Sequence, residues 1–121
     1  MDFRLELVPV PVADVDRAIA FYTELAGFSV EQDVRVDEEH RFVELTPPGS
    51  PCSIALTTGY VDAAPGSVKG LQLNVDDALA ARALLLDRGV GVTDVETHPW
   101  GRFCWFTDPD GNQWTIHGPA G

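Results

Sequence analysis

The chain has 121 residues, 45% of them hydrophobic, which predicts one globular domain with a core of its own. Its 19 acidic side chains against 8 basic ones give a formal charge of −11, which argues against binding to nucleic-acid phosphates or acidic membranes. No apolar run approaches the roughly 18 residues of a membrane span, and the charged start lacks a signal peptide's apolar core. We therefore expect a soluble, cytoplasmic protein in which Cys52 and Cys104 are buried thiols.

The first half of the chain predicts the element order β-α-β-β-β. Residues 5–12 alternate as a strand does, and their two prolines suggest an edge strand. Asp14 is a suitable N-cap for a helix that Gly27 can end in a left-handed conformation. Three strands are predicted after this helix, at residues 28–36, 40–46 and 52–58.

The second half restarts the same order after a polar linker at residues 60–67, which divides the chain into modules 1–59 and 68–121. Residues 68–75 alternate as a strand, and Asp76-Asp77 can open a helix that ends at Gly89, 62 positions after Gly27. This helix carries Leu79, Ala83 and Leu86 on one face. Further strands are predicted near 90–96, at 102–107 and at 113–117, with a tight turn at 108–112.

The predicted fold class is α+β, with two β-α-β-β-β modules. One helix covers one face of each short sheet, so the other face must pack within the chain or against a second chain. We expect a curved mixed sheet around a cleft. Exposed sheet edges further favour a homodimer.

Three segments, at residues 11–28, 70–90 and 98–118, carry a family resemblance that spans nearly the whole chain. In their order and internal repeat they resemble the vicinal oxygen chelate superfamily, which holds glyoxalase I, extradiol dioxygenases and bleomycin resistance proteins. The resemblance implies paired modules whose sheets form U-shaped clefts, commonly completed across a homodimer.

The same resemblance supplies a test for a metal. In the enzymes of the superfamily, His, Gln or Glu side chains from the first and last strand of each module hold a divalent ion. Carried onto this chain, the first-strand positions are Leu7 and Gly70, and the last-strand positions are Ala55 and Thr115. None of these is a usual metal ligand. The sequence therefore predicts no metal and no other cofactor.

Polar side chains alternate with apolar ones in the strands expected to line the cleft. Gln72 and Asn74 alternate with leucines, and amides both donate and accept hydrogen bonds to a ligand. His117 shares its side of the last strand with Thr115, while Glu44 lies between apolar neighbours in an earlier strand. We predict all five as ligand contacts. For Glu44, an outward carboxylate on a solvated sheet is an equally good interpretation.

Aromatic residues crowd into the stretch from Trp100 to Trp114. Alternation places Trp105 and Cys104 on opposite sides of one strand, and places Trp114 on the face opposite Thr115. Flat rings suit a planar ligand and present their faces to a cation. We therefore add Trp100 and Trp105, but not Trp114, to the predicted ligand contacts.

Residues 108–112, with the sequence DPDGN, are expected to form a hairpin turn without a role in chemistry. Arg102 is expected to pair locally with Asp108 or Glu96. No serine has a G-x-S-x-G context and no glycine-rich loop precedes a helix, so the hydrolase and nucleotide-binding classes are disfavoured.

These features favour a metal-independent protein that binds a small organic molecule. The PWGR and DPxGN motifs resemble those of bleomycin resistance proteins, and the acidity suits a cationic or aromatic, antibiotic-like ligand held by sequestration. The alternative is a metal-dependent lyase, isomerase or dioxygenase with relocated ligands such as Glu44, His98 or His117. A metal-free enzyme that uses His117 or Glu44 as acid or base is a third hypothesis.

Overall fold

The structure is a computed structural model that describes residues 1–58 and 62–121. The first half contains strand β1, a helix α1 that continues as a π-helical segment, and three further strands. Their bounds are β1 Leu7–Pro9, α1 Val15–Ala20, π-helical segment Phe21–Leu25, β2 Ser29–Arg35, β3 Arg41–Thr46 and β4 Ser53–Thr58. The predicted order of this half is confirmed.

The second half repeats the order. Its bounds are β5 Leu71–Asn74, α2 Ala78–Asp87, β6 Glu96–His98, β7 Gly101–Thr107 and β8 Gln113–Gly118. Of the predicted linker, residues 62–67 contain no helix or strand, and residues 60 and 61 lie outside the described residues. The β-α-β-β-β repeat is thus present in both halves.

The strands form two separate four-stranded mixed sheets with the same topology. The first sheet has the order β1-β4-β3-β2 and the second has the order β5-β8-β7-β6. In each, the first strand pairs in parallel with the last strand of its half, and the other pairs are antiparallel. The predicted α+β class with two such modules is confirmed.

Both helices begin and end where the sequence predicts. Asp14 accepts a hydrogen bond from the Arg17 backbone N at 3.1 Å, and Asp77 accepts one from the Ala80 N at the same distance. Gly27, just after the π-helical segment, has φ +84° and therefore takes the left-handed conformation that a glycine adopts without strain.

One prediction in the second half is wrong. The strand expected near residues 90–96 lies at Glu96–His98 instead, because the Val90 backbone N donates to the Leu85 carbonyl at the end of α2 and so closes the helix. The helix face with Leu79, Ala83 and Leu86 is exposed, and Leu85 and Ala78 are the buried residues of α2. The helix carries alanines and leucines on all of its sides, so the spacing of its apolar residues does not show which side is buried.

The core lies where the helix-bearing sides of the two sheets meet. Phe21 and Tyr22, at the end of the first helix, contact Phe106 and Trp114 of the second sheet. Cys104 is buried in this core as predicted, whereas Cys52 is only half-buried. The opposite side of each sheet carries no helix, and we call it the open face of that sheet.

The turn at residues 108–112 joins the two halves. The buried Asp108 carboxylate accepts hydrogen bonds from the Tyr22 hydroxyl at 2.7 Å and from Asn112 Nδ2 at 2.8 Å. Asn112 Nδ2 also donates to the Pro11 carbonyl at 2.8 Å, and Trp114 Nε1 donates to the Tyr22 hydroxyl at 2.9 Å. The turn is therefore a structural link between the first helix and the last strand.

The predicted local partner of Arg102 is wrong. Asp108 is used by Tyr22 and Asn112, and within the described part of the chain the buried Nε of Arg102 has no hydrogen-bond partner. Arg102 lies on the side of β7 that faces the helix, because it has the same strand parity as the buried Cys104.

Candidate ligand-binding site

The open face of the second sheet brings together most of the predicted ligand contacts. Across the parallel pair β5–β8, Gln72 is opposite Thr115 and Asn74 is opposite His117. Across β7–β8, Trp105 is opposite Thr115. Along each strand these residues alternate with more deeply buried positions, so their side chains share one face.

Five rings form a continuous row on and beside this face, which we call the aromatic row. Phe103 stacks on His117 with ring centres 4.7 Å apart and planes 13° from parallel, and Trp105 follows Phe103 at 6.4 Å. On the other side, His98 lies 6.0 Å from Phe103 and stacks on Trp100 at 4.8 Å with a 5° interplanar angle. The rings thus form a contiguous, mostly apolar patch.

Phe103 and His98 belong to the aromatic row although the sequence analysis did not select them as ligand contacts. Phe103 has the same strand parity as Trp105, so alternation alone places it on the same face. His98 ends β6 and is opposite Gly101 in the register, so the two residues close a hairpin around Pro99 and Trp100. Proline at the second position of a turn and glycine at the fourth are the local signal that predicts this pairing.

The ring of His117 depends on a glycine in the neighbouring strand. A β-carbon at Gly101 would overlap the imidazole, with His117 Cδ2 at 2.7 Å and the Gly118 carbonyl O at 2.9 Å. His117 Nε2 lies 3.5 Å from the Trp100 carbonyl O. Gly101, in the segment PWGR, therefore leaves the space in which His117 stacks on Phe103.

The polar end of the face lies beside a loop of the first half. Residues Pro47 to Pro51 and the β5 residues Gln72 to Asn74 border a cavity of about 290 Å³. The amides of Gln72 and Asn74 are exposed there, next to the hydroxyl position of Thr115. A ligand on the aromatic row can reach these groups for orientation.

Glu44 lies apart from the other predicted contacts. It is on β3 of the first sheet, opposite Ala55 in the register, and accepts a hydrogen bond from Gln32 Nε2 at 3.3 Å. Within one chain, the structure does not bring Glu44 to the open face of the second sheet.

The four positions that the family resemblance assigns to a metal do not fit one. Ala55 is buried, Leu7 is half-buried and apolar, Gly70 has no side chain, and Thr115 offers a single hydroxyl. The described ranges 1–58 and 62–121 hold no group of three His, Cys, Asp or Glu arranged to bind a metal ion. The alternative metal ligands Glu44, His98 and His117 also do not come together within one chain. Phe103 lies between the two histidine rings, and Glu44 is on the other sheet.

A family model matches the chain over residues 4–116, and its description is Glyoxalase/Bleomycin resistance protein/Dioxygenase superfamily. The chain belongs to this superfamily. No curated protein matches the chain. Across the described residues, the structure contains no helix long and apolar enough to cross a membrane.

Several solved structures are similar to this chain in both sequence and fold. The crystal structure of TnmS3, an antibiotic binding protein from Streptomyces sp. CB03234, is 36% identical, with 98% of this chain and 97% of that chain covered and a TM-score of 0.87. A glyoxalase/bleomycin resistance protein from the same organism is 37% identical over 94% of this chain and 99% of that chain, with a TM-score of 0.81. A superfamily member from Sphaerobacter thermophilus DSM 20745 is 33% identical over 98% of each chain, with a TM-score of 0.85.

Proposed function

We propose that this superfamily member binds and sequesters a small, planar, antibiotic-like molecule on the open face of its second sheet, without a metal. The observation that carries the proposal is the aromatic row, in which His98 stacks on Trp100, Phe103 stacks on both His117 and Trp105, and a tilted contact between His98 and Phe103 joins the two groups. Such rings bind planar molecules by offset stacking and bind cations through their π faces.

The polar groups beside the row support an organic ligand with a few directional contacts. Gln72, Asn74 and Thr115 offer donors and acceptors next to the rings, in the usual composition of a small-molecule site. The charge of −11 favours a cationic ligand, because the potential around an acidic protein attracts positive charge. TnmS3, an antibiotic binding protein at 36% identity, supports the antibiotic-like class.

The side chains at the four metal positions of the family support ligand binding rather than metal-assisted catalysis. A Lewis-acid mechanism needs a metal held by several nitrogen or oxygen ligands with an open coordination position. Leu7, Ala55 and Gly70 supply no ligand atom from their side chains. Binding is therefore expected to persist unchanged when a chelator is present.

We also propose that a second copy of the chain completes the site. In the single chain the open face of the second sheet is uncovered, and Trp100 is 69% exposed. The first sheet of a second copy, with Glu44 on its open face, would cover the row and add a carboxylate toward a cationic ligand. A homodimer then encloses two equivalent sites.

The test is isothermal titration of the protein with bleomycin and a panel of cationic and neutral polycyclic aromatic antibiotics, at low and high salt. We expect micromolar or tighter binding of at least one planar compound, weakened by salt if it is a cation. Trp105→Ala and His117→Ala should each weaken binding roughly tenfold or more. His40→Ala removes an imidazole that pairs with Asp37, away from the row, and should leave affinity unchanged.

Two results would overturn the proposal. One is the absence of binding heat across the whole panel at concentrations up to the solubility of each compound. The other is loss of binding on dialysis against a chelator with recovery on adding Ni²⁺, Zn²⁺, Mn²⁺ or Fe²⁺.

A further inference from the structure

A second cavity, of about 390 Å³, lies on the helix-covered side of β5, between α2 and the first half of the chain. Its wall is apolar, and Phe28, Pro47, Leu73, Val75, Leu84 and Leu85 contribute to it. None of these residues belongs to the aromatic row. The volume lies within the range of small-molecule sites.

Among the described residues, the lining of the cavity has one cation and no acid. Arg88 is the only charged residue there, and Asn74, whose amide lies on the open face of β5, is the only other one with a polar side chain. This is unexpected for a chain in which acids outnumber bases by 19 to 8. The local charge therefore opposes the charge of the whole molecule.

Arg88 is available for a ligand. It is exposed at the end of α2, and within residues 1–58 and 62–121 its guanidinium makes no hydrogen bond or salt bridge. It lies over the turn after the first helix, where a β-carbon at Gly27 would come within 2.8 Å of Arg88 Nη1. Gly27 thus leaves the space for the guanidinium at the cavity wall.

We infer that this cavity binds a small apolar monocarboxylate, with its hydrocarbon part in the cavity and its carboxylate on Arg88. The apolar wall gains free energy by removing hydrocarbon from water. A guanidinium binds a carboxylate through two parallel, charge-assisted hydrogen bonds. A cation of the same shape should not bind in this cavity, because its positive charge would lie beside Arg88 and no acidic residue of the lining could pair with it.

The test uses octanoate, octanol and octylammonium as probes of equal chain length in calorimetric titrations of the intact protein. Octanoate is expected to bind once per chain and at least tenfold more tightly than octanol, with no binding of octylammonium. Arg88→Gln should lower octanoate affinity at least tenfold and leave octanol affinity unchanged. The matched control is Arg17→Gln, at an exposed position of α1 outside the cavity lining. It changes the net charge by the same amount and should leave the affinity for both probes unchanged.

A filled cavity provides the second variant. Ala81→Phe places a ring in the cavity from the half-buried wall of α2 and should abolish binding of both octanoate and octanol, with folding checked by circular dichroism. In NMR spectra, octanoate should shift the methyl signals of Leu84 and Leu85 rather than the indole signal of Trp105.

The inference is overturned if octanoate does not bind at millimolar concentration, or if Arg17→Gln weakens it as much as Arg88→Gln. It is also overturned if the largest NMR shifts fall on Trp105, because the probe would then occupy the open face. The proposed function is unaffected by these outcomes, since it rests on the aromatic row and on planar ligands.

Discussion

Tyr22 links the first helix to the buried turn of the second half. Its hydroxyl donates to Asp108 and accepts from Trp114 Nε1, and the whole side chain is buried. Burial, and next the negative charge of Asp108, raise the pKa of Tyr22 far above its ordinary value of 10.0. The phenol therefore stays protonated and remains a donor to the carboxylate.

Removing this hydroxyl should destabilise the protein. Tyr22→Phe leaves Asp108 with one donor fewer and Trp114 Nε1 without its acceptor, at a cost of about 1–3 kcal/mol in the free energy of unfolding. Urea denaturation measures the loss. The control is Thr23→Val on the same helix, whose hydroxyl bonds locally to the Ile19 carbonyl at 2.7 Å and should cost less. Equal losses in the two variants would contradict the role given to Tyr22.

The same tyrosine predicts a change in alkaline stability. Because its pKa is raised in the folded state, the unfolded chain releases this proton near pH 10.0 while the folded chain keeps it. The stabilisation is therefore complete below pH 10.0 and is lost as the pH rises above it. Above pH 10, the free energy of unfolding should fall more steeply in wild type than in Tyr22→Phe, by up to about 1.4 kcal/mol per pH unit. Parallel curves would show that the phenol does not contribute.

Gly101 sets the position of His117 in the aromatic row. A methyl group at residue 101 would overlap the imidazole, so Gly101→Ala must move the ring away from Phe103. We expect the variant to lose affinity for a planar ligand about as much as His117→Ala does, with little further loss in the double variant, because both remove one interaction. Calorimetric titration of the three variants measures this. Fully additive losses would place Gly101 outside the site.

At the scale of elements, strand alternation determined more of the site than helix periodicity did. Parity alone places Trp105, Thr115 and His117 on open faces and Trp114 in the core, because a strand has only two sides. Helix α2, by contrast, has apolar residues on all of its sides. Leu85 is its buried leucine because of how the helix packs on β7 and β8, which its own sequence does not indicate.

Long-range pairing explains what local patterns could not predict of the site. The element order follows from caps, breakers and alternation, but the parallel pairing of β5 with β8 is what sets Gln72 opposite Thr115 and Asn74 opposite His117. The repeat, by contrast, already places Glu44 and His117 in different modules, and the two sheets agree with it. The register between strands that are distant in the sequence is not set within either strand.

Strands β2 and β3 are joined to α1 by an arginine with two acidic partners. Arg41 donates to Asp33 through Nε and Nη2, at 3.0 and 2.9 Å, and to Asp16 through Nη1 at 2.8 Å. The hydrogen bonds from Arg41 hold the pKa of Asp33 below its ordinary value of 3.8. The pair is therefore intact at neutral pH and weakens only in acid.

This geometry predicts how acid affects stability. Because the pKa of Asp33 is lowered in the folded state, its stabilisation is present above pH 3.8 and is lost as the pH falls below that value. Arg41→Gln should cost about 1 kcal/mol or less at pH 7, since Asp33 and Asp16 are well exposed, and the difference from wild type should shrink by pH 3. Denaturation at both pH values measures it, with Arg17→Gln as control. A difference that stays constant with pH would contradict the assignment.

At the scale of the whole molecule, the chain leaves apolar surface on both sheets. Val34 on β2 is 47% exposed and lies on the open face of the first sheet, opposite Phe42 in the register, and Trp100 beside the second sheet is 69% exposed. The net charge of −11 opposes contact between copies, so apolar burial has to exceed that repulsion. A dimer in which one copy's first sheet covers the other copy's second sheet buries these residues together.

The proposed homodimer predicts a sedimenting mass of twice the 13.1 kDa of one chain at micromolar concentration. Val34→Glu should shift the protein toward the monomer, because it places a charge on the open face of the first sheet, whereas Leu86→Glu on the exposed side of α2 should leave the mass unchanged. Ligand affinity should fall together with dimer content in Val34→Glu, since in the proposed dimer the second copy encloses the aromatic row. A wild-type mass of 13.1 kDa would exclude the dimer, and a monomeric variant with full affinity would show that the row binds its ligand within a single chain.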